Sequence, residues 1–432
     1  MTSSPTSDRP QASAGTIAAT SILSAKGGDP YPLYEELRAK GPVHWDTRLR
    51  GWVVLSYALC REIETREDLY RHPYANADTL TIEVKGGPGN ITILQGEAHA
   101  RVRRLMANLL SPPAIEGYRR GHVRPVVHAL IDRFVMQGKA DLASSLADLV
   151  PPRVVCSLFG MPWRDDTLMR TVVRHNDSLA AWIGRPGHRT PELDQQALAT
   201  SYALNDILLP TIRLRRTQPD DDLISRIWAD GAATGTLTGE ADVLATCREL
   251  LFAGSHTTMG WLANAIHLLL SNVEMRQAVM RDRTVALANF LEESVRLFGP
   301  LQYRFRLANQ DGEVGGQPVK MDDLVFLVHA AANRDPAQFT CPARVDLARP
   351  RPKEHLAFNA GPRTCIGAAL ARAEAREVMG AILDRLPGIR FDPEAPPPAE
   401  NTLFSRSFRP LNVCFESTAS PKQTIIAGDE AA

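Results

Sequence analysis

Apolar residues recur every three to four positions through most of the chain, which predicts a largely helical protein. Patterns of this kind occupy 31–39, 58–65, 97–110, 113–136, 140–158, 165–183, 194–216, 240–298 and 368–386. Apolar runs that favour strands are fewer and shorter, at 52–55, 303–308 and 319–329. Glycines and prolines between residues 71 and 95 predict a long loop. The pattern therefore predicts a mainly α fold with small β-sheets, most of them in the C-terminal half.

The two ends and one apolar segment define the predicted domain. Residues 1–24 and 417–432 are polar, so we predict disordered tails around a single domain at 25–416. The segment 250–270 has no Asp, Glu, Lys or Arg and is long enough to cross a membrane. A polar cluster at 254–258 interrupts it, which favours a helix through a protein core instead. No membrane anchor is predicted.

Charge and cysteine usage exclude several classes of protein. Lys and Arg together number 49 and Asp and Glu 49, so the net charge is zero and nothing indicates a nucleic-acid partner. No two of the six cysteines form a C-x-x-C pair, which argues against a zinc site, an iron–sulfur cluster and a disulfide framework. A reducing, cytoplasmic location is predicted.

The most informative run is 358–367, FNAGPRTCIG. A thiolate at Cys365 would be a soft anionic ligand for a haem iron. Gly361 and Gly367 would let the backbone approach a flat macrocycle closely, because they lack a Cβ. Arg363 is placed to pair with a haem carboxylate. The competing interpretation of the cysteine alone is an inert buried thiol beside a turn.

The whole run resembles the haem-binding loop of the cytochromes P450, written F-x-x-G-x-(H/R)-x-C-x-G. The resemblance implies the cytochrome P450 fold, in which haem b lies between a long central helix and the cysteine loop. It implies that Cys365 is the iron ligand and that Phe358 and Gly361 belong to the cofactor-binding loop.

Further motifs match the family in order and spacing. Glu293 and Arg296 lie at i and i+3, an ordinary helix ion pair by themselves. They resemble the family's E-x-x-R, for which Arg349, or failing that Arg344, is the expected third partner.

Four side chains are candidates to meet the haem propionates, which need cations or hydrogen-bond donors when buried. His99 and Arg103 match the family's H-x-x-x-R, and Arg306 matches its R-x-A strand. Arg363 stands where many relatives have histidine. Taken singly, each of the four is better interpreted as a surface charge. The occurrence of all four at the family's positions favours the propionate role.

The segment Ala253–Thr258 resembles the oxygen-activating stretch of the central helix. Gly254 would leave room for O2, and Thr257 would offer a hydroxyl to it. The residue before this threonine is usually an acid in the family, but here it is His256. Two interpretations stay open: His256 relays protons, or it only packs. A relay with an unperturbed pKa would make coupling vary between about pH 5.5 and 7.5.

The resemblance implies a bacterial-type monooxygenase that inserts one atom of O2 into a small, largely apolar substrate, with secondary metabolism as the expected setting. Electrons are expected from a separate ferredoxin and ferredoxin reductase, because the sequence has no G-x-G-x-x-G fingerprint. Arg103, Arg104, Arg372 and Arg376 form a candidate basic patch for that partner, or simply a solvated face.

Two other functions remain open. One is a haem-thiolate enzyme that uses peroxide or performs coupling or nitration, and the other is a haem-based sensor. The sequence leaves the substrate open, although Ile91, Ile93, Trp182, 301–303 and 403–404 are expected to line its pocket.

Overall fold

The computed structural model describes residues 21–24, 28–185, 189–400 and 404–417. Helices dominate these residues. In chain order the α-helices are α1 Tyr31–Lys40, α2 Tyr57–Thr65, α3 Thr79–Val84, α4 Gly96–Leu109, α5 Pro112–Tyr118, α6 Arg124–Ile131, α7 Val150–Leu158, α8 Asp166–Ile183, α9 Pro191–Thr217, α10 Leu223–Thr234, α11 Glu240–Ser271, α12 Val273–Arg281, α13 Val285–Leu297, α14 His329–Ala332 and α15 Ala368–Arg385.

The strands are short. In chain order they are β1 Val43–Asp46, β2 Gly51–Val54, β3 Tyr70–Arg71, β4 Lys139–Asp141, β5 Arg304–Ala308, β6 Gly312–Val314, β7 Gln317–Val319, β8 Leu324–Leu327, β9 Arg390–Phe391, β10 Ala399–Glu400, β11 Phe408–Arg409 and β12 Asn412–Cys414. The largest sheet has the order β1-β2-β8-β5-β3, with β2 and β8 parallel and its other pairs antiparallel. It presents β5 to the site described below.

Helix α11 is the central element, and it packs against α7, α8, α9, α13 and α15. The polar cluster in its middle is accommodated by protein, since Ser255 and Thr258 are both buried. At Gly260 a Cβ would lie 2.9 Å from Cβ of Pro300, so glycine allows the segment after α13 to approach the helix. Within the described residues, no helix is both long and apolar enough to cross a membrane.

Three details differ from the sequence-based prediction. The expected loop at 71–95 contains helix α3, which Asp78 caps by accepting a hydrogen bond from the Thr81 amide at 2.8 Å. The patterns at 113–136 and 140–158 are each interrupted, by π-helical turns at Arg119–Val123 and Ala143–Ala147 and by strand β4. Helix α10 was not predicted.

The predicted tails fall mostly outside the described residues, which begin at Ser21 and end at Ser417. Within the N-terminal one, Ile22–Ser24 forms a 3-10 turn and Ile22 is buried. The Ile22 amide donates to Asp46 at 2.9 Å. The predicted tail boundary at residue 24 is therefore too late, because Ile22 packs into the apolar cluster around Tyr34 and Val53.

Candidate functional site

The cysteine loop is a tight turn that leads into α15. The Cys365 amide donates to the Phe358 carbonyl at 2.7 Å, which closes the loop. Two of its residues have positive φ, Asn359 at 59° and Gly361 at 67°. The loop ends in a 3-10 turn at Gly361–Arg363, after which Cys365 opens onto a large cavity.

The two glycines of this loop have different reasons to be glycine. A Cβ on Gly361 would lie 2.7 Å from the Glu64 carbonyl oxygen and 2.9 Å from Cα of Thr65. Gly361 is therefore needed where the loop crosses the end of α2, and it is not part of the cavity wall. Gly367 does line the cavity, and a Cβ there would have no described protein atom within 4 Å. Only Gly367 fits the expectation of close approach to a macrocycle.

One cavity brings together all the predicted site residues except Gly361. Its volume is about 350 Å³, within the usual range for small-molecule sites. The members come from α4, α11, β5 and the cysteine loop: His99, Arg103, Gly254, His256, Thr257, Arg306, Phe358, Arg363 and Cys365.

Strand β5 contributes two arginines to the wall, and only Arg306 was predicted. Arg306 is buried; its Nη1 donates to the Phe305 carbonyl at 3.1 Å, and Nη2 lies 3.8 Å from Oε1 of Glu64. Arg304 also lines the cavity, and its Nε donates to Asn359 at 3.1 Å. The signal was present in the sequence, because residues two apart on a strand face the same side.

The other predicted cofactor-binding side chains reach the same region. Nη2 of Arg103 donates to the Thr364 carbonyl at 2.7 Å. Arg363 donates to the Leu94 carbonyl at 2.9 Å and forms an ion pair with Glu67. Burial, with the charge of Arg363, lowers the pKa of His99 to about 4, so His99 offers a neutral hydrogen-bonding ring and not a cation.

This wall is rich in buried positive charge. A cofactor that carries two carboxylates requires such an environment. Burial lowers the pKa of Arg306; Glu64 opposes that shift, while Arg363 and Arg304 add to it. Burial likewise lowers the pKa of His72, a cavity residue that the sequence did not single out, to well below its usual value, and Arg306 and Arg363 add to the effect. Two carboxylates would relieve this crowding of like charges.

The environment of the sulfur combines opposing effects. Burial by the surrounding protein raises the pKa of the Cys365 thiol, although the atom opens onto the cavity. The Gly367 amide and the charges of Arg304, Arg372 and Arg103 act in the opposite direction and favour the thiolate. These residues fit a haem held through Cys365 and the arginine cluster; when bound, the haem would supply the activation of O2.

Helix α11 supplies the predicted oxygen-side residues. The Thr257 hydroxyl donates to the Ala253 carbonyl at 2.9 Å, one turn earlier, and both residues line the cavity. A Cβ on Gly254 would lie 3.3 Å from Cγ2 of Val155, so a larger residue would press against α7. Thr257 can therefore present its hydroxyl oxygen, as an acceptor, to the cavity.

His256 lies between this cavity and a second one. Its ring stacks on Phe252, and its Nε2 lies 3.6 Å from Oδ1 of Asp177 on α8. The second cavity is also lined by Asp177 and Arg409, and it shares Tyr303 and Phe404 with the first. Burial, aided by the charge of Arg409, lowers the pKa of His256 to about 4. The sequence left open whether the surroundings raise or lower this pKa; burial lowers it, so the coupling window given for an unperturbed pKa does not apply and the ring is neutral at pH 7.

The predicted E-x-x-R network is present and buried. Nε of Arg296 donates to Oε1 of Glu293 at 2.7 Å, and Nη2 donates to Oε2 at 2.8 Å. Nε of Arg349 donates to the same Oε1 at 2.8 Å, so Arg349 is the third partner. Arg344 contributes only its carbonyl oxygen, which accepts from Arg296 at 2.9 Å. This network ties α13 to the segment that precedes the cysteine loop.

Some expected pocket residues are in place and others are not. Ile91, Leu301, Tyr303 and Phe404 line the cavity. Trp182 lies behind the wall, where Tyr74 stacks on it at 6.4 Å between ring centroids. Ile93 and Gln302 do not contribute to the described wall, and residue 403 lies outside the described residues.

Comparison with known proteins identifies the family of this chain. The family model described as "Cytochrome P450" matches residues 51–415. The chain belongs to the cytochrome P450 family, whose members are haem-iron monooxygenases.

Curated relatives and solved structures match over nearly the whole chain. The cytochrome P450 monooxygenase PikC of Streptomyces venezuelae is 31% identical over 88% of this chain and 90% of its own. The mycinamicin IV hydroxylase/epoxidase of Micromonospora griseorubida is 30% identical over 83% and 88%. The structure of P450BioI in complex with an acyl carrier protein has a TM-score of 0.80 at 25% identity, covering 90% of this chain and 99% of that one. The predicted fold is confirmed.

Proposed function

We propose that this protein inserts one oxygen atom from O2 into a small, largely apolar organic substrate. The observation that carries the proposal is that one cavity is lined by Cys365, by Thr257 and by the buried arginine cluster. In this proposal Cys365 ligates the iron of haem b, while Arg103, Arg306 and Arg363, with His99, hold its propionates. Gly254 leaves space beside the Thr257 hydroxyl.

His256 is proposed to deliver protons as a neutral ring. Nε2 faces Asp177, whose side chain is exposed to the second cavity, and the ring also borders the first cavity. A proton taken from Asp177 or from water there could pass through the imidazole toward Thr257. The alternative is that His256 only packs between Phe252 and α8.

A separate ferredoxin and ferredoxin reductase are the proposed electron donors. Support comes from a surface groove whose cationic members outnumber its acids. Of the four arginines of the candidate basic patch, Arg372 and Arg376 lie in this groove. Arg103 instead faces the cavity, and the exposed Arg104 pairs with Glu97 at 2.8 Å. Additional cations that prediction missed line the groove: Arg119, Arg124 and Arg283.

The test is turnover by haem-loaded protein with a substrate found by its displacement of the iron-bound water. Product that requires NAD(P)H, reductase, ferredoxin and O2 would support the proposal. Equal product from peroxide alone would favour the peroxide-driven alternative, and binding without any oxygen-dependent product would favour a sensor.

A further inference from the structure

A second buried carboxylate lies directly before the E-x-x-R glutamate on α13. Glu292 accepts hydrogen bonds from Nε of Arg372 at 2.7 Å and from Nη2 at 2.9 Å. It also lies 3.1 Å from Nε2 of His355. Burial alone would raise the pKa of Glu292, but these two partners lower it to about 2. Glu292 is therefore an anion that accepts hydrogen bonds from Arg372 with both of its carboxylate oxygens.

His355 is oriented by the backbone of the cysteine loop. The Ala357 amide donates to Nδ1 of His355 at 3.3 Å, so the ring proton is on Nε2. That nitrogen donates to Glu292, and both side chains are buried. The buried imidazole thus holds the Glu292 carboxylate through an N–H group, while the partly exposed Arg372 contacts the same carboxylate.

Arg372 connects this clamp with the cysteine loop. Its guanidinium carbon lies 4.4 Å from the ring centroid of Phe358, a distance typical of a cation–π contact. The Phe358 carbonyl accepts the Cys365 amide, so the residue that Arg372 covers is hydrogen-bonded directly to the cysteine. The Arg372 side chain is 27% exposed and lines the surface groove. One guanidinium therefore belongs both to the surface and to the surroundings of the thiolate.

We propose that Glu292 and His355 are positioning residues that hold Arg372 on Phe358 and thereby set the reduction potential of the iron bound at Cys365. The inference rests on the proposed haem-thiolate site and extends it to residues that do not touch the cofactor. Without the clamp, a long and partly exposed arginine would lose its carboxylate partner and move into the solvated groove.

The test is the midpoint potential of the haem-loaded holoprotein, measured by spectroelectrochemical titration without a redox partner. Glu292→Gln has two opposing effects: the loss of an anion raises the potential, and the release of Arg372 from Phe358 lowers it. Arg372→Gln should shift it downward, because a cation is lost beside the sulfur. In the Arg372→Gln background only the loss of the anion remains, so Glu292→Gln should raise the potential more there than in the parent.

Glu377→Gln is the matched control. Glu377 lies on α15 with Arg372 and lines the same groove, but it pairs with Arg119 and Arg124. Its substitution removes the same charge as Glu292→Gln. We expect a smaller shift of the midpoint potential than in Arg372→Gln, because no contact links Glu377 to Phe358.

Two results would overturn the proposal: an equal shift for Glu292→Gln in the parent and in the Arg372→Gln background, or a shift in Arg372→Gln no larger than in Glu377→Gln. If Glu292→Gln does not fold, Arg372→Gln and Arg372→Lys decide the matter, since Arg372 is partly exposed. Lysine keeps the charge but not the two-pronged grip, so its potential should lie between those of the parent and Arg372→Gln. A parent without the thiolate carbonyl band would refute the proposed function itself; a normal band with unshifted variants would refute only the clamp.

Discussion

At the scale of single residues, Cys365 is the proposed thiolate ligand of the iron. Cys365→Ala should abolish the red-shifted Soret band of the reduced carbonyl complex, because that band requires a sulfur ligand. Cys341→Ser is the control, since Cys341 is the other exposed cysteine of the described residues. Absorption spectra of the two variants decide the matter, and a parental band in Cys365→Ala would exclude this ligand.

His256 gives a prediction with a defined pH dependence. Burial holds its pKa at about 4, against about 6.5 in an unfolded chain. The stability of the neutral buried ring is therefore fully present above pH 6.5 and is lost as the pH falls through 4. Coupling of product to NAD(P)H should be constant between about pH 5.5 and 7.5 and should change only as pH approaches 4. The charged groups facing the ring are Asp177 and Arg409, the latter paired with Asp148.

His267 provides the comparison, because it lies on the same helix with a pKa also lowered to about 4 by burial. It stacks on Phe408, with 3.7 Å between ring centroids, and does not line the described cavity. Both His256→Gln and His267→Gln should reduce the acid sensitivity of unfolding. Only His256→Gln should lower product per NAD(P)H; equal coupling in the two variants would leave His256 a packing role.

At the scale of elements, the two loop glycines separate folding from cofactor binding. Gly361→Ala places a Cβ against the end of α2 at a positive φ, which costs about 1–2 kcal/mol for the backbone alone. Gly367→Ala meets no described protein atom, so it should leave the cofactor-free protein as stable as the parent while lowering haem occupancy. Denaturant unfolding and the ratio of haem to protein measure the two effects, and equal destabilisation by both substitutions would contradict this division.

The ion-pair network between α13 and the segment before the cysteine loop should contribute strongly to stability. Glu293→Gln leaves Arg296 and Arg349 buried without their carboxylate, a change that typically costs about 3–5 kcal/mol. The control is Asp311→Asn, which breaks an exposed and solvent-screened pair with Lys320 and should cost far less. Chemical denaturation measures both, and similar losses would mean that the buried network stabilises no more than a surface pair.

At the scale of the whole molecule, the proposed propionate partners Arg103 and Arg306 come from separate elements, α4 and β5. Arg103→Gln and Arg306→Gln should each weaken retention by about 1–3 kcal/mol, the cost of an unmet charged hydrogen bond. The carbonyl band of the remaining holoprotein should be unchanged. Arg351→Gln, at an exposed side chain, is the control. Full occupancy in the Arg103→Gln, Arg306→Gln double variant would show that the propionates bind elsewhere.

Local motifs could be predicted from the sequence far better than long-range pairings. The cysteine loop, α11 and the residues of E-x-x-R were all found, because short spacings define them. The sequence ranked Arg349 ahead of Arg344 correctly but could not exclude Arg344, since only the path of the intervening chain decides which guanidinium reaches Glu293. Strand β4 was missed because it is three residues long and pairs with β12, about 270 positions away.

Other differences have equally physical causes. Apolar periodicity continues through a π-helical turn, so it did not reveal the breaks at 119–123 and 143–147. Helix α10 follows the acidic run 220–222 and was not predicted, although Asp222 caps the helix by accepting from the Ser225 amide at 2.8 Å. The pKa of His256 depended on how completely neighbouring elements bury the ring.

The two cavities that share His256, Tyr303 and Phe404 have a consequence for molecular traffic. A bulky substrate that fills the first cavity still has the second cavity beside it, on the other side of the His256 imidazole of α11. The far end of such a substrate can extend past Tyr303 and Phe404, which line both cavities, so the first cavity alone does not limit substrate length. Water in the second cavity can exchange beside Asp177 while substrate occupies the first cavity, so protons can be supplied with substrate bound.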